Sequence, residues 1–503
     1  MLNNLPIILA LIPFVFFVFF LLIYKTSLLK ASLITFILYI LLAIFYWGIY
    51  PSFLVISLGK GFFVAFDILI IIFGAIFFLE ILKDLKVINN ISYYLEHLSH
   101  DYRVQIIVIA WLFEAFLEGT AGFGTPAAIA VPLLIGLGLT PIRALIVGLL
   151  GNSTAGVFGA AGTPITVGFA GLNVASVPLY ASLLNLAGLI VPIFMLWAIT
   201  LGRENRKKEF FGALPFAIWS GIVFIVPSIL FAKFWPEFPS IFGSAVAIVL
   251  VLITTKLGLF VPKENLSLKK AEDLVSTMSP LKSFLPYIIL VGLLIFGKVF
   301  LGKIGIPLTF GFNGFKHTFN LFNPGFAFIT AGFIVAILWR SQKKIIGDSL
   351  KEGIREAIGP FFVIVSMLAM VQIMINSGQN TSGLPSAIVI IAHFFETSLL
   401  PFFAPFIGAF GGFITGSVTV SNILFGHLFY TAATPLGLNS QSILSLGVVG
   451  AAAGNMIALA DILTAEAVVR VRNQEIDILK GVFIPCMTYL ILVGILGMIF
   501  FSK

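Results

Sequence analysis

The chain has 503 residues, of which 60% are hydrophobic and only 10% charged. A soluble domain carries about a quarter charged residues, so this composition excludes a soluble globule. The formal net charge of +8 does not point to nucleic acid, because the basic residues sit in short loops beside apolar segments, as membrane insertion arranges them.

About 20 apolar helical residues cross the hydrocarbon core of a bilayer. Segments near 5–24, 28–48 and 53–82 have that character. The first lacks a basic start and a small-residue cleavage site, so it is read as a retained helix and not as a signal peptide. Alternating β-barrel patterning is absent, and helices satisfy their own backbone polar groups in lipid. A glycine-rich region, 111–168, comes next and is followed by a long apolar helix over 176–201. Two further helices, 209–232 and 240–260, lead into a charged loop. Apolar segments near 283–301, 325–340 and 357–376 then precede a second glycine-rich region, 408–469, and a final helix over 481–501.

Most lysines and arginines fall in six clusters: Lys25/Lys30; Lys83/Lys86/Arg103; Arg203/Arg206/Lys207/Lys208; the 256–282 loop; 340–355; and Arg470/Arg472/Lys480. The positive-inside rule places all six in the cytoplasm of a multi-pass plasma-membrane protein. Both termini then lie outside, and the two helix triplets cross in opposite senses. The predicted fold is an all-α polytopic bundle of two inverted-topology repeats, 1–202 and 283–503, with linker helices and a cytoplasmic loop over 203–282. Secondary transporters use inverted repeats, with broken helices or re-entrant hairpins near the midplane, to build alternating access.

The two glycine-rich regions occupy corresponding places. Each sets a Gly/Ser/Thr cluster in apolar sequence, then a turn beginning Leu-Gly-Leu, then a second apolar stretch interrupted at Gly-Asn (151–152 and 454–455). Glycine costs about 1 kcal/mol and proline about 3 in a helix interior. Broken helices at membrane depth persist where their backbone lines a cavity or is buried in protein. A half-helix that restarts after a break presents free N–H groups and the positive end of its dipole to anions. Gly122, Gly124 and Thr125 in the first region, and Gly416, Ser417, Thr419 and Ser421 in the second, are therefore candidate substrate-binding residues. Close helix packing is the competing role for such small residues. Asn152, Thr154, Asn422 and Asn455 are uncharged hydrogen-bonding groups suited to a substrate hydroxyl. Arg143 is a further candidate, able to pair with a carboxylate or to snorkel to the interface.

Glu114 and Glu118 lie four apart on one helix face before the first break. A charge at the bilayer centre costs about 2.5–3.5 kcal/mol on insertion scales, so intramembrane carboxylates default to function. Low dielectric favours the neutral form of a carboxyl in general, which suits such a group to carry a proton. Glu118 abuts the break and is the leading proton-coupling candidate, with Glu114, Asp67 and Asp461 behind it; a helix-capping role for Asp461 is the alternative.

The stretches EGTAGFGTPAAIA, GNSTAGVFGAAGTPI, TGSVTVSNILFG and AAAGNMIALADI resemble the L-lactate permease family of bacteria and archaea along nearly the whole chain. The resemblance implies proton-coupled symport of a small 2-hydroxymonocarboxylate, L-lactate or in some members glycolate. The chain departs from the family pattern at Ala155, where proline is common, and at Leu459, Ala460 and Asp461, where a proline-containing polar stretch is usual. A carrier or antiporter of another small anion on the same architecture is the alternative. A membrane-embedded enzyme would need a catalytic or metal constellation. The five histidines have no ligand spacing, and no Walker, HExxH, GxSxG or CxxC motif occurs. No cofactor or metal is therefore expected. The expected partners are the carboxylate, protons and the bilayer, and the oligomeric state stays open.

Overall fold

The computed structural model describes residues 5–24, 26–120, 122, 125–268, 276–301, 304–310, 315–469, 471 and 474–501. These residues are almost entirely helical, and nine of their helices are long and apolar enough to cross a membrane. The bent pair Pro141–Gly151 and Ala155–Thr166, angled at 51°, makes a tenth if counted as one broken span. The helices follow the order foreseen from hydropathy: three helices, a broken glycine-rich region and a long helix, then two further helices, and later three more helices before the second glycine-rich region and the last helix.

The chain divides into two compact units. The first unites 1–87, 281–397 and 426–437. Its spine is a pair of 34-residue helices, Pro51–Asp84 and Lys343–Asn376, each the third helix of its half. At about 1.5 Å per residue each exceeds the hydrocarbon thickness, and the excess of Lys343–Asn376 is its charged first half. Small residues set the closeness of these helices. A Cβ on Gly61 would come within 2.6 Å of the Ala369 backbone, the kind of contact that holds helices together in lipid. Asn323 starts Pro324–Leu338 by accepting from the Gly325 N–H at 2.8 Å, while its amide donates to the Asp67 carbonyl at 2.9 Å. One element departs from an all-helical expectation: Gly305–Phe310 and Phe315–Asn320 form an antiparallel hairpin with Ile306 opposite Phe319.

The second unit unites 88–280, 398–425 and 438–503 and contains most of both glycine-rich regions. Leu400–Thr415 packs along Ser440–Gly454 with backbones nearly touching. Cβ atoms on Gly408, Gly412, Gly450 and Gly454 would run into the main chain of the other helix. Packing therefore accounts for these four glycines. At the polar end of the unit, buried Arg103 clamps the chain. It donates to both Asp101 oxygens at 2.9 and 2.6 Å and to the carbonyls of Glu209 and Glu264. Asp101 also accepts from the Leu266 N–H at 3.1 Å, which ties the charged loop to the helix beginning at Tyr102.

Candidate functional site

Helix breaks build the site, and all of them lie in the second unit. In the first region the chain runs as an α-turn, Tyr102–Ile107, then a π-helical stretch, Val108–Phe113, then Glu114–Thr120. The helix stops at Thr120, Gly122 is left-handed (φ +58°), and a new helix runs Thr125–Gly136. In the second region Leu400–Thr415 stops at Gly416, left-handed at φ +62°, and Val418–Ala433 restarts two residues later. Both interruptions fall where glycine clusters placed them. Both Gly-Asn steps end helices as well: Pro141–Gly151 stops at Asn152, and Ser440–Gly454 gives way to a 3-10 turn at Asn455.

A small cavity of about 20 Å³ lies among the breaks, lined by Glu118, Gly122, Gly156, Gly159, Ala160, Thr163, Pro164, Gly416, Ser417, Val418, Thr419 and Asn455. That volume is room for about one water. The start of Val418–Ala433 forms part of the wall, and the first N–H groups of a helix lack intrahelical partners. Ser417 caps this helix, its hydroxyl accepting from the Val420 N–H at 3.3 Å. The hydroxyls of Thr163 and Thr419 face each other at 3.4 Å and join the two glycine-rich regions. The amide of Asn422 does the same by donating to the Pro164 carbonyl at 2.8 Å.

Glu118 is 4% exposed. Its Oε1 faces Gly122, where a Cβ would stand 3.5 Å away, and Gly159, where a Cβ would collide with it. Its Oε2 is buried without a hydrogen-bond partner among the described residues, and the same holds for Asn455 Oδ1. No described residue lining the cavity carries a positive charge. A carboxyl and an amide oxygen held without donors are costly as pure structure, since an unsatisfied buried polar atom loses about 1–3 kcal/mol. Two orphaned acceptors on one cavity wall are what a site for protons, water or a hydroxylated ligand requires.

The structure brings together Glu118, Gly122, Gly416, Ser417, Thr419 and Asn455. Gly124 lies outside the described residues, as does the side chain of Thr125. Asn422 touches the wall through Pro164. Ser421 instead donates to the Gly408 carbonyl at 2.9 Å and serves helix packing. Asn152 and Thr154 are buried beyond the lining, Thr154 against Gly188 with its carbonyl accepting from Asn185. Glu114 sits against Gly151, also beyond the lining, with neither oxygen hydrogen-bonded among the described residues. Arg143 donates to the Leu201 carbonyl at 2.6 Å, at the end of a neighbouring helix, and not toward the cavity. Asp67 belongs to the first unit. Asp461 packs on the Gly416 turn, its Oδ1 3.3 Å from where a Cβ on Gly416 would stand.

Sequence reasoning passed over Gly156, Gly159, Ala160, Thr163 and Pro164. Ala160 and Ala161 are left-handed (φ +42° and +57°) and lead into left-handed Gly162. Such conformations cost about 1–2 kcal/mol per L-residue and gather at functional sites. A signal was available: Gly162-Thr163-Pro164 repeats the triplet Gly124-Thr125-Pro126.

A family model described as L-lactate permease matches residues 6–304 and 312–502. A putative L-lactate permease of Haemophilus influenzae is 28% identical over 469 residues, covering 86% of each chain. The L-lactate permease of Streptococcus iniae is 30% identical over 68% of this chain and 72% of its own. That of Escherichia coli K12 is 26% identical over 97% and 94%. Among solved structures, the YdaH transporter of Alcanivorax borkumensis aligns over 88% of this chain and 85% of its own, at 13% identity and a TM-score of 0.46.

Proposed function

The chain belongs to the L-lactate permease family of membrane transporters, and from that premise we propose that it carries a small 2-hydroxymonocarboxylate, L-lactate or glycolate, inward together with a proton. The observation that carries the reading is Glu118: a buried carboxyl with an unpartnered oxygen, on the wall of a cavity made by helix breaks and without a cation among its described lining residues. Bringing a second carboxylate into such a place without a proton would set two like charges together in low dielectric. Protonation of Glu118 removes that repulsion, and by linkage proton and substrate tighten each other's binding by one factor. The start of Val418–Ala433 offers N–H groups and a positive dipole end to the substrate carboxylate. In this reading Asn455, with its unpartnered Oδ1, and the Thr163–Thr419 pair bond the 2-hydroxyl. Halves 1–202 and 283–503, related by inverted topology in the plasma membrane with both termini outside, would supply the alternating access.

Glu118→Gln mimics the protonated side chain and removes its titration. In vesicles this variant should keep exchange of labelled for unlabelled L-lactate and lose uptake driven by a pH gradient. Continued accumulation against a concentration gradient would place the proton on another group.

A further inference from the structure

Asp461 is a second carboxylate at this site, and the reading above gives it no task. It lies in the first turn of Leu459–Val468 and is 8% exposed. Its Oδ2 has no hydrogen-bond partner among the described residues. Its Oδ1 packs against the Gly416 turn that lines the cavity shared with Glu118. Among the described residues the neighbouring elements supply no counter-ion. Thr125–Gly136 and Leu400–Thr415 carry no charged residue. Arg143 of Pro141–Gly151 is bonded to Leu201, and on Glu475–Phe501 Lys480 pairs with Asp477 at 3.1 Å, beside the acidic Glu475. Around Glu118 the described charged groups are Glu114 on its own helix, Glu237 packed on Gly162 of the neighbouring turn, and Lys256 at the exposed end of Pro239–Lys256.

A substrate carboxylate in place meets Glu118 and Asp461 beside the Gly416 turn, with Glu114 one helical turn away, and no described residue lining the cavity is a cation. Moving an unpaired charge through low dielectric costs several kcal/mol, and a proton on Glu118 alone leaves the substrate and Asp461 charged. We infer that Asp461 is a second proton-carrying carboxylate, so that each substrate anion enters with two protons, one on Glu118 and one on Asp461. The inference rests on the symport reading. Both protons are taken up outside and both are released inside. The charge balance per cycle is two positive and one negative inward, a net gain of one positive charge. A carrier with one proton per anion moves no net charge.

The experiment uses the intact chain in proteoliposomes with L-lactate, equal pH on both sides, and an inside-negative potassium diffusion potential. About 60 mV acting on one charge is worth about 1.4 kcal/mol, so the potential should raise steady-state accumulation about tenfold. A pH gradient alone should give about a hundredfold per unit for two protons, and Asp461→Asn should reduce this to about tenfold while abolishing the response to potential. Asp461→Glu, which keeps the carboxyl, should retain that response. Wild-type uptake driven by pH yet indifferent to potential would overturn the second proton and leave the symport reading intact. A full response to potential in Asp461→Asn would remove Asp461 from the cycle. Exchange that neither gradient can drive would overturn the symport reading itself.

Discussion

Valine at Gly416 tests the geometry of the second break. Gly416 sits at φ +62°, where an L-residue is strained by about 1–2 kcal/mol. A Cβ there would also stand 3.0 Å from Ala460 Cβ and 3.3 Å from Asp461 Oδ1. The backbone around the turn must give way, and overpacking of this kind costs about 1–3 kcal/mol. The sum is a destabilisation of about 2–5 kcal/mol. The valine branch would also press on Asp461 and shift a turn that lines a cavity of only about 20 Å³. Gly416→Val should therefore unfold at lower temperature in detergent and transport no L-lactate. Gly416→Asn separates the two effects, because asparagine tolerates the left-handed region yet still sets a side chain against Asp461; it should be more stable than the valine variant and equally inactive. Wild-type stability and uptake in Gly416→Val would refute both the turn and its place on the substrate path.

Ala161→Gly should raise the unfolding temperature, because relief of a left-handed alanine outweighs the added chain entropy of glycine by roughly 0.5–1 kcal/mol; a lower unfolding temperature would contradict the strained turn. Arg143→Gln should leave L-lactate uptake within about twofold of wild type, since Arg143 bonds a helix-end carbonyl, whose exposed interactions are worth about 0.2–1 kcal/mol; a loss of tenfold or more would return it to the substrate. Asp101→Ala should strip buried Arg103 of its carboxylate and destabilise the protein by about 3–5 kcal/mol, read as lower yield and unfolding temperature. An unchanged profile would show that the clamp does not hold the charged loop.

The spans were legible because lipid demands long apolar runs, which a water-soluble fold has little use for. The helix ends at Thr120, Thr415, Gly151 and Gly454 were legible because glycine and proline are penalised wherever a helix continues. Which glycines turn and which pack was not legible. Gly412 and Gly416 share one short stretch, yet the first meets the Ala451 carbonyl and the second turns the chain. The left-handed pair Ala160-Ala161 was hidden because alanine is the strongest helix former, and tertiary context overrides that preference. The π-helical stretch at Val108–Phe113 has no compositional mark at all. The hairpin carried one in Asn313-Gly314, a turn dipeptide between apolar runs, but a membrane reading absorbs short apolar runs into helices. Arg143 stayed open in the sequence for a physical reason: a lone arginine beside a helix start suits an anion or an interface equally well, and its bond to the Leu201 carbonyl is a contact that no local pattern announces.

The central claim is that protons drive a small hydroxycarboxylate through this protein. Its most direct measurement is uptake of labelled L-lactate into proteoliposomes of the purified chain, with the lumen made alkaline and again at equal pH without a membrane potential. Accumulation above the external concentration is expected with the pH gradient and simple equilibration without it. Equal final levels under the two conditions, or entry no faster than into protein-free vesicles, would contradict it.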